Sequence, residues 1–296
     1  MNKETKSLFK KPGFYFKAVA ATIAVFGIIF LLSVIVLRWF NPPFTSFTIQ
    51  EDWAELGAEK YNLREYWIEA TDIPEHLKWA VVASEDQLFW EHQGFDIESI
   101  KEAWEQRQTG QRSRGASTIS QQVAKNLYLW PAHSFFRKGL EAGITVLIEF
   151  FWPKERIIEV YLNIAEFGPG LFGIGKASVH FFDQTATELS PEQAARMAAV
   201  LPSPKRMRVN PPSPYAEQRS RWILRQMTQL TGTAYIQIPV SEDPEEEDLD
   251  PLRLDEEFLL DETLRDTIQI QQVDSVISDS LLLEIDLPDS LLNLDH

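Results

Sequence analysis

Residues 84–96 read SEDQLFWEHQGFD and follow directly on the apolar run LKWAVVA at 77–83. Pro74 stands in the first turn of this segment, and Leu77, Ala80, Val81 and Ser84 fall on one face at helical spacing. The pattern therefore predicts a buried helix that delivers two adjacent acids, Glu85 and Asp86, at its end. A buried charge is costly unless it is paired or used. Either the last turn of the helix meets water, or a carboxylate is aimed into a cleft to move a proton. The stretch alone leaves both open.

A second informative stretch is RGASTISQQVAKN at 114–126. Thr118 followed three residues later by Gln121 fits a capping box at a helix start. Helix N-termini attract anions through free N–H groups and the helix dipole. Continued as a helix, the segment puts Ser117, Gln121 and Lys125 on one face: a hydroxyl, an amide and an ammonium suited to a phosphate with sugar groups beside it. A capped polar surface helix has the same pattern. Downstream, FRKGLE brings Arg137 and Lys138 to the start of a long apolar helix, ahead of Glu141. Arginine grips phosphate oxygens bidentately and lysine supplies a point charge. Two cations at a helix start oppose its dipole, so an anion would relieve them; a solvated basic face is the alternative. Two carboxylates near a phosphate-binding face suggest chemistry at the anomeric carbon of a sugar. Spacing does not choose the second acid among Glu141, Glu149 and Glu159.

The chain of 296 residues has room for one medium domain with extensions. Residues 18–37, AVAATIAVFGIIFLLSVIVL, form 20 positions without a charge, the length of one bilayer-spanning helix. Lys3, Lys6, Lys10, Lys11 and Lys17 precede it against a single acid, Glu4, which favours a cytoplasmic N-terminus. The run is longer than the apolar region of a cleavable signal and leads into RWFNPPF, so an uncleaved anchor is expected. The chain has no cysteine, in keeping with a domain that folds without disulfides in an oxidising compartment. The net charge of −16 is unevenly spread: residues 241–296 hold 19 acids and two arginines, and residues 1–240 carry 26 basic and 25 acidic side chains. The acidic tail argues against nucleic acid as a partner, since phosphates would be repelled.

NPPFTSF at 41–47 reads as a stiff connector. The segments STISQQVAKNLYLW, RKGLEAGITVLIEFF, KERIIEVYLNIAEF and SPEQAARMAAVLP are helical in pattern. The last of these has Ser190 as cap, Pro191 at the first helical position and Pro202 as stop. Glycines gather in EFGPGLFGIGKA at 166–177, a loop between two helices, and no strand pattern of convincing length precedes AYIQIPV at 234–240. His76, His92, His133 and His180 show no metal-ligand spacing.

In this order and spacing, EDQLFWEHQGFD, GASTISQQVAKN, RKGLE and IIEVYLNIAEFG resemble the peptidoglycan glycosyltransferase family. This is the glycan-polymerising domain of class A penicillin-binding proteins and of monofunctional transglycosylases. The resemblance covers about residues 65–232. It implies a mainly α, lysozyme-like, two-lobed glycosyltransferase domain after one N-terminal transmembrane helix. The implied substrate is lipid II, a disaccharide-pentapeptide on a polyprenyl pyrophosphate, together with the growing glycan chain. By the family pattern Glu85 is the catalytic base, and Glu141 is the second glutamate, near the donor. Lys125, Arg137 and Lys138 would neutralise the pyrophosphate, with Ser117, Thr118, Gln121, Gln122 and Asn126 holding phosphate, sugars or backbone around it. The one cofactor implied is a divalent cation, Mg or Mn, at the pyrophosphate; the sequence has no dedicated ligand set for it. The implied location is the bacterial inner membrane, single-pass, with the catalytic domain periplasmic and other wall-synthesis or division proteins as partners.

The expected layout is a basic cytoplasmic N-terminus at 1–17, a transmembrane helix at 18–37, a connector at 38–60, the glycosyltransferase domain at 61–240 and an acidic, disordered tail at 241–296. The tail has no counterpart in the family pattern, and it is too short for a transpeptidase domain. Two other functions fit some of the residues. One is a lysozyme-like peptidoglycan hydrolase, which would not need three cations beside its site. The other is an inactive membrane-anchored scaffold, which would not need Glu85 and Glu141.

Overall fold

The computed structural model describes residues 12–54, 56, 59–108, 117–131 and 134–235. The 241–296 tail, Gly115, His133 and nearly all of the 234–240 strand expectation lie outside the described residues. Within them the chain is helical: α1 (Pro12–Val36), α2 (Ser46–Gln50), α3 (Glu75–Glu85), α4 (Ile97–Gln108), α5 (Ile119–Tyr128), α6 (Phe135–Phe151), α7 (Lys154–Ile164), α8 (Ile174–Phe182), α9 (Pro191–Ala199) and α10 (Pro214–Thr231). The mainly α fold expected for a lysozyme-like domain is the one the chain adopts.

The helix starts follow from short-range chemistry. Ser190 caps α9, reciprocated by Gln193, with Pro191 in the first turn. Ser213 caps α10 above Pro214, and Gly232 ends that helix in the left-handed region. α9 stops at Ala199, ahead of Pro202. The glycine-rich segment, expected as a plain loop, contains a small antiparallel hairpin: β1 (Glu166–Gly168) paired with β2 (Leu171–Phe172). Tyr61 fastens it, its hydroxyl donating to Phe172 O at 2.5 Å and accepting from Phe172 N at 2.6 Å. A side chain at Gly175 would run into the Tyr66 carbonyl oxygen, so α8 can approach the Leu63–Tyr66 turn only with glycine there.

Two groups of packed helices set up the site. α3, α9 and α10 pack on one another, and α5 packs on both α6 and α7. Leu77, Ala80, Val81 and Val82 of α3 are fully buried, each larger side chain contributing about 1.5–3 kcal/mol of transfer free energy. α3 therefore arrives at Glu85 with its direction fixed. The connector is not free of the domain: Thr45 caps α2, which packs on α5, and Gln50 Nε2 lies 3.2 Å from Leu129 O. α1 contains a 22-residue span, Tyr15–Val36, long and apolar enough to cross a membrane and almost wholly exposed. Its C-terminal end packs on α6.

Candidate active site

Glu85 is the last residue of α3, and its side chain keeps 12% of its surface exposed. Gln122 Nε2 donates to Glu85 Oε2 at 2.9 Å, and the Tyr161 hydroxyl donates to Gln122 Oε1 at 3.1 Å. Tyr161 is fully buried, and burial next to Glu85 and Asp86 raises its phenol well above the usual value, so it remains a donor. Arg219 of α10 lies on the other side, Nη2 3.9 Å from Glu85 Oε1 and 3.2 Å from Ser84 Oγ. Three helices besides α3 thus orient this carboxylate without taking all of its acceptor capacity.

Its neighbour turns the other way. Asp86 is 6% exposed; its Oδ1 lies 2.8 Å from His92 Nε2, and its Oδ2 accepts from Ile119 N at 2.9 Å. His92 Nδ1 in turn accepts from Gly94 N at 3.1 Å, and the Thr118 hydroxyl donates to Gly94 O at 2.7 Å. Gly94 has φ +87°, a left-handed conformation suited to glycine. The 84–96 stretch is therefore a bracket that binds the end of α3 to the start of α5. Asp86 does the binding and leaves the partly exposed Glu85 to Gln122 and Arg219.

This corrects the anion-binding reading of the α5 N-terminus, where the anion at the helix start is the chain's own Asp86. Thr118 and Gln121 are spent on the capping box: Gln121 N donates to Thr118 Oγ1 at 3.3 Å and Thr118 N to Gln121 Oε1 at 2.9 Å, with both side chains buried. They shape the helix start. Gln122 serves Glu85. Asn126, one turn further along α5, is half-buried.

The positive charge lies between α5 and α6. Glu141 is 2% exposed and receives Arg137 Nη1 at 2.8 Å and Lys138 Nζ at 2.5 Å. Lys138 Nζ also donates to Ser117 Oγ at 3.0 Å, joining the two helices. Lys125 reaches the same place from α5, its ammonium 5.6 Å from the Phe47 ring centroid. Burial lowers the Lys125 ammonium below the usual lysine range, assisted by Arg137 and Lys138 and opposed by Glu141 and Glu85. Lys125 thus lies within electrostatic reach of both glutamates. Three cations against one buried carboxylate leave this region net positive, and Ser134 caps the start of α6, its hydroxyl oxygen accepting from Arg137 N at 3.1 Å.

The other two candidate acids are engaged elsewhere. Glu149 accepts from Lys154 Nζ at 2.8 Å and from the Ser120 hydroxyl. Glu159 accepts from Arg156 Nη1 at 2.7 Å and Trp67 Nε1 at 2.8 Å. Among the described residues no three His, Cys, Asp or Glu side chains converge in a way that could hold a metal. The described residues thus form no dedicated cage for the divalent cation that the resemblance implies. Sequence reasoning missed Tyr161 and Arg219, which lie 76 and 134 positions beyond Glu85 and carry no local signal.

The site thus combines a carboxylate oriented by neutral and cationic donors with a partly buried cluster of cations around Glu141, in a mainly helical domain. A family model described as transglycosylase matches residues 52–228. Three curated relatives bear the name biosynthetic peptidoglycan transglycosylase. The one from Ectopseudomonas mendocina is 48% identical over 206 residues, 69% of this chain and 85% of the relative. That from Xanthomonas campestris pv. campestris (strain B100) is 45% identical over 224 residues, covering 75% and 91%. The Shewanella oneidensis relative is 48% identical over 208 residues, covering 70% and 89%. The chain belongs to the transglycosylase family and is a glycosyltransferase.

Proposed function

We propose that this chain polymerises lipid II into β-1,4-linked glycan strands of peptidoglycan from the outer face of the bacterial inner membrane. The observation that carries the reading is the pairing of Glu85, held at the end of α3 by Gln122 and Arg219, with the Lys125, Arg137 and Lys138 cations around Glu141. The names of the relatives supply the peptidoglycan context.

In this reading Glu85 takes the proton from the 4-hydroxyl of the acceptor GlcNAc as that oxygen attacks C1 of the terminal MurNAc of the growing chain. The new C1–O bond forms on the face opposite the pyrophosphate, so the anomeric centre inverts from α to β. The old C1–O bond breaks, and its electron pair leaves with the polyprenyl pyrophosphate. Lys125, Arg137 and Lys138 neutralise that leaving group. Glu141 holds Arg137 and Lys138 in place and limits their mutual repulsion, which makes it a positioning residue for the donor side. Ser117 joins the same group through Lys138, and Asn126 follows Lys125 on α5 and would hold sugars or backbone beside it. A hydrolase would have no anionic leaving group for these cations to meet.

The test is to incubate purified full-length protein with labelled lipid II and separate the products on a gel. A ladder of glycan polymer supports the reading, and unchanged lipid II overturns it.

A further inference from the structure

The last turn of α1 does not leave the domain as a loose tether. Trp152 Nε1, at the junction of α6 and α7, donates to Val34 O at 2.8 Å, and Arg38 Nη1 donates back to Phe151 O at 2.7 Å. Each helix end thereby satisfies a carbonyl that the other would leave open. Between them sits Arg156, in the first turn of α7. Its Nε donates to Leu37 O at 3.2 Å, and Nη2 donates to Leu37 O at 3.0 Å and Phe40 O at 3.1 Å. Nη1 donates to Asn41 Oδ1 at 2.9 Å and Glu159 Oε1 at 2.7 Å. All five donors of the guanidinium fork are used. The group lies 5.4 Å from the Trp67 ring centroid and 5.9 Å from that of Trp152.

A cation on carbonyls just past the C-terminal end of a helix is favourable, but here the cation belongs to a different element. Lysine could not reproduce the fork, because it offers a compact charge on a flexible stem. The same two helices that hold the anchor also build the cleft. Five residues beyond Arg156, α7 presents Tyr161 to Gln122, and the opposite end of α6 carries Arg137, Lys138 and Glu141.

We propose that Arg156 is a positioning residue: it fixes the direction of α1 against the α6–α7 pair and so sets the height and tilt at which the Glu85 cleft meets membrane-borne substrate. The activity arm of this inference rests on the proposed function; the geometric arm does not.

The chain has no cysteine, so spin labels at Phe26→Cys in the exposed span and Glu192→Cys on α9 report one distance without background. The full-length protein is measured in phospholipid vesicles as parent, Arg156→Ala and the double variant Arg156→Met/Glu159→Gln. The double variant removes the grip on α1 without leaving the Glu159 charge buried and unpaired. A single narrow distance in the parent should broaden in both variants. Polymerisation of lipid II embedded in the same vesicles should fall at least about 10-fold, and in detergent micelles, where no bilayer sets the height, less than about 3-fold. An unchanged narrow distance in the folded double variant overturns the inference, and so does an equal loss in vesicles and micelles. A parent that makes no polymer counts against the proposed function alone, and the distance measurement still decides the clamp.

Discussion

Gln122 Nε2 lies 2.9 Å from Glu85 Oε2, and the far end of the same amide is held by Tyr161. The amide cannot rotate without losing one of these partners, so it holds Glu85 in one orientation. Gln122→Leu removes that hold while leaving the cation cluster untouched. A hydrogen bond to a charged group is worth about 1.5–3 kcal/mol, so kcat is expected to fall about 10-fold or more with KM little changed. Steady-state kinetics of the variant check this; a rise in KM alone would make Gln122 a substrate contact instead.

Arg137 grips Glu141 and, in the proposed function, the leaving pyrophosphate. Arg137→Ala leaves a buried carboxylate with one partner fewer, so both donor binding and thermal stability should drop; a broken buried pair costs about 3–5 kcal/mol. Arg137→Lys should recover the stability better than the binding, because the charge remains but the fork is lost. Calorimetry and lipid II titration of the two variants separate the effects. Equal binding by all three proteins would place Arg137 outside the donor site.

Glu166 on β1 makes the stability of the fold depend on pH. Burial pushes its carboxyl up to about 7, Glu51 adds to the shift, and Lys205 at 3.9 Å together with the Gly170 N–H opposes it. The folded value is above the unfolded one, so the stabilisation is complete below the unfolded value near 4.5 and is lost as pH rises through about 7. The swing is on the order of 1–3 kcal/mol. Glu166→Gln should therefore melt higher relative to the parent at about pH 8 than at about pH 5. A difference in melting temperature that does not change with pH would contradict the assignment.

Much of this was legible in the chain because it depends on neighbours in sequence. The cap at Ser190, the Thr118–Gln121 box and the delivery of Glu85 by an apolar run all follow from residues a few positions apart. What could not be read depended on distance. Arg137–Glu141 and Arg156–Glu159 look alike as helical ion pairs. Only tertiary placement puts Glu141 beside Lys125 and Glu159 beside the anchor. The start of α5 looks like an open anion site until Asp86, 33 residues upstream, is seen to fill it. Strands of three and two residues are too short for an alternating pattern, which is why the β1–β2 hairpin was invisible.

The central claim is that Glu85 accepts the proton of the attacking hydroxyl, and the most direct measurement is the single-turnover rate of lipid II polymerisation by Glu85→Gln. The substitution keeps size and hydrogen bonding to Gln122 but cannot take up a proton. The account expects a folded protein that binds lipid II and polymerises it about 10²–10⁴-fold more slowly than the parent. A folded Glu85→Gln protein that polymerises at the parental rate would contradict it.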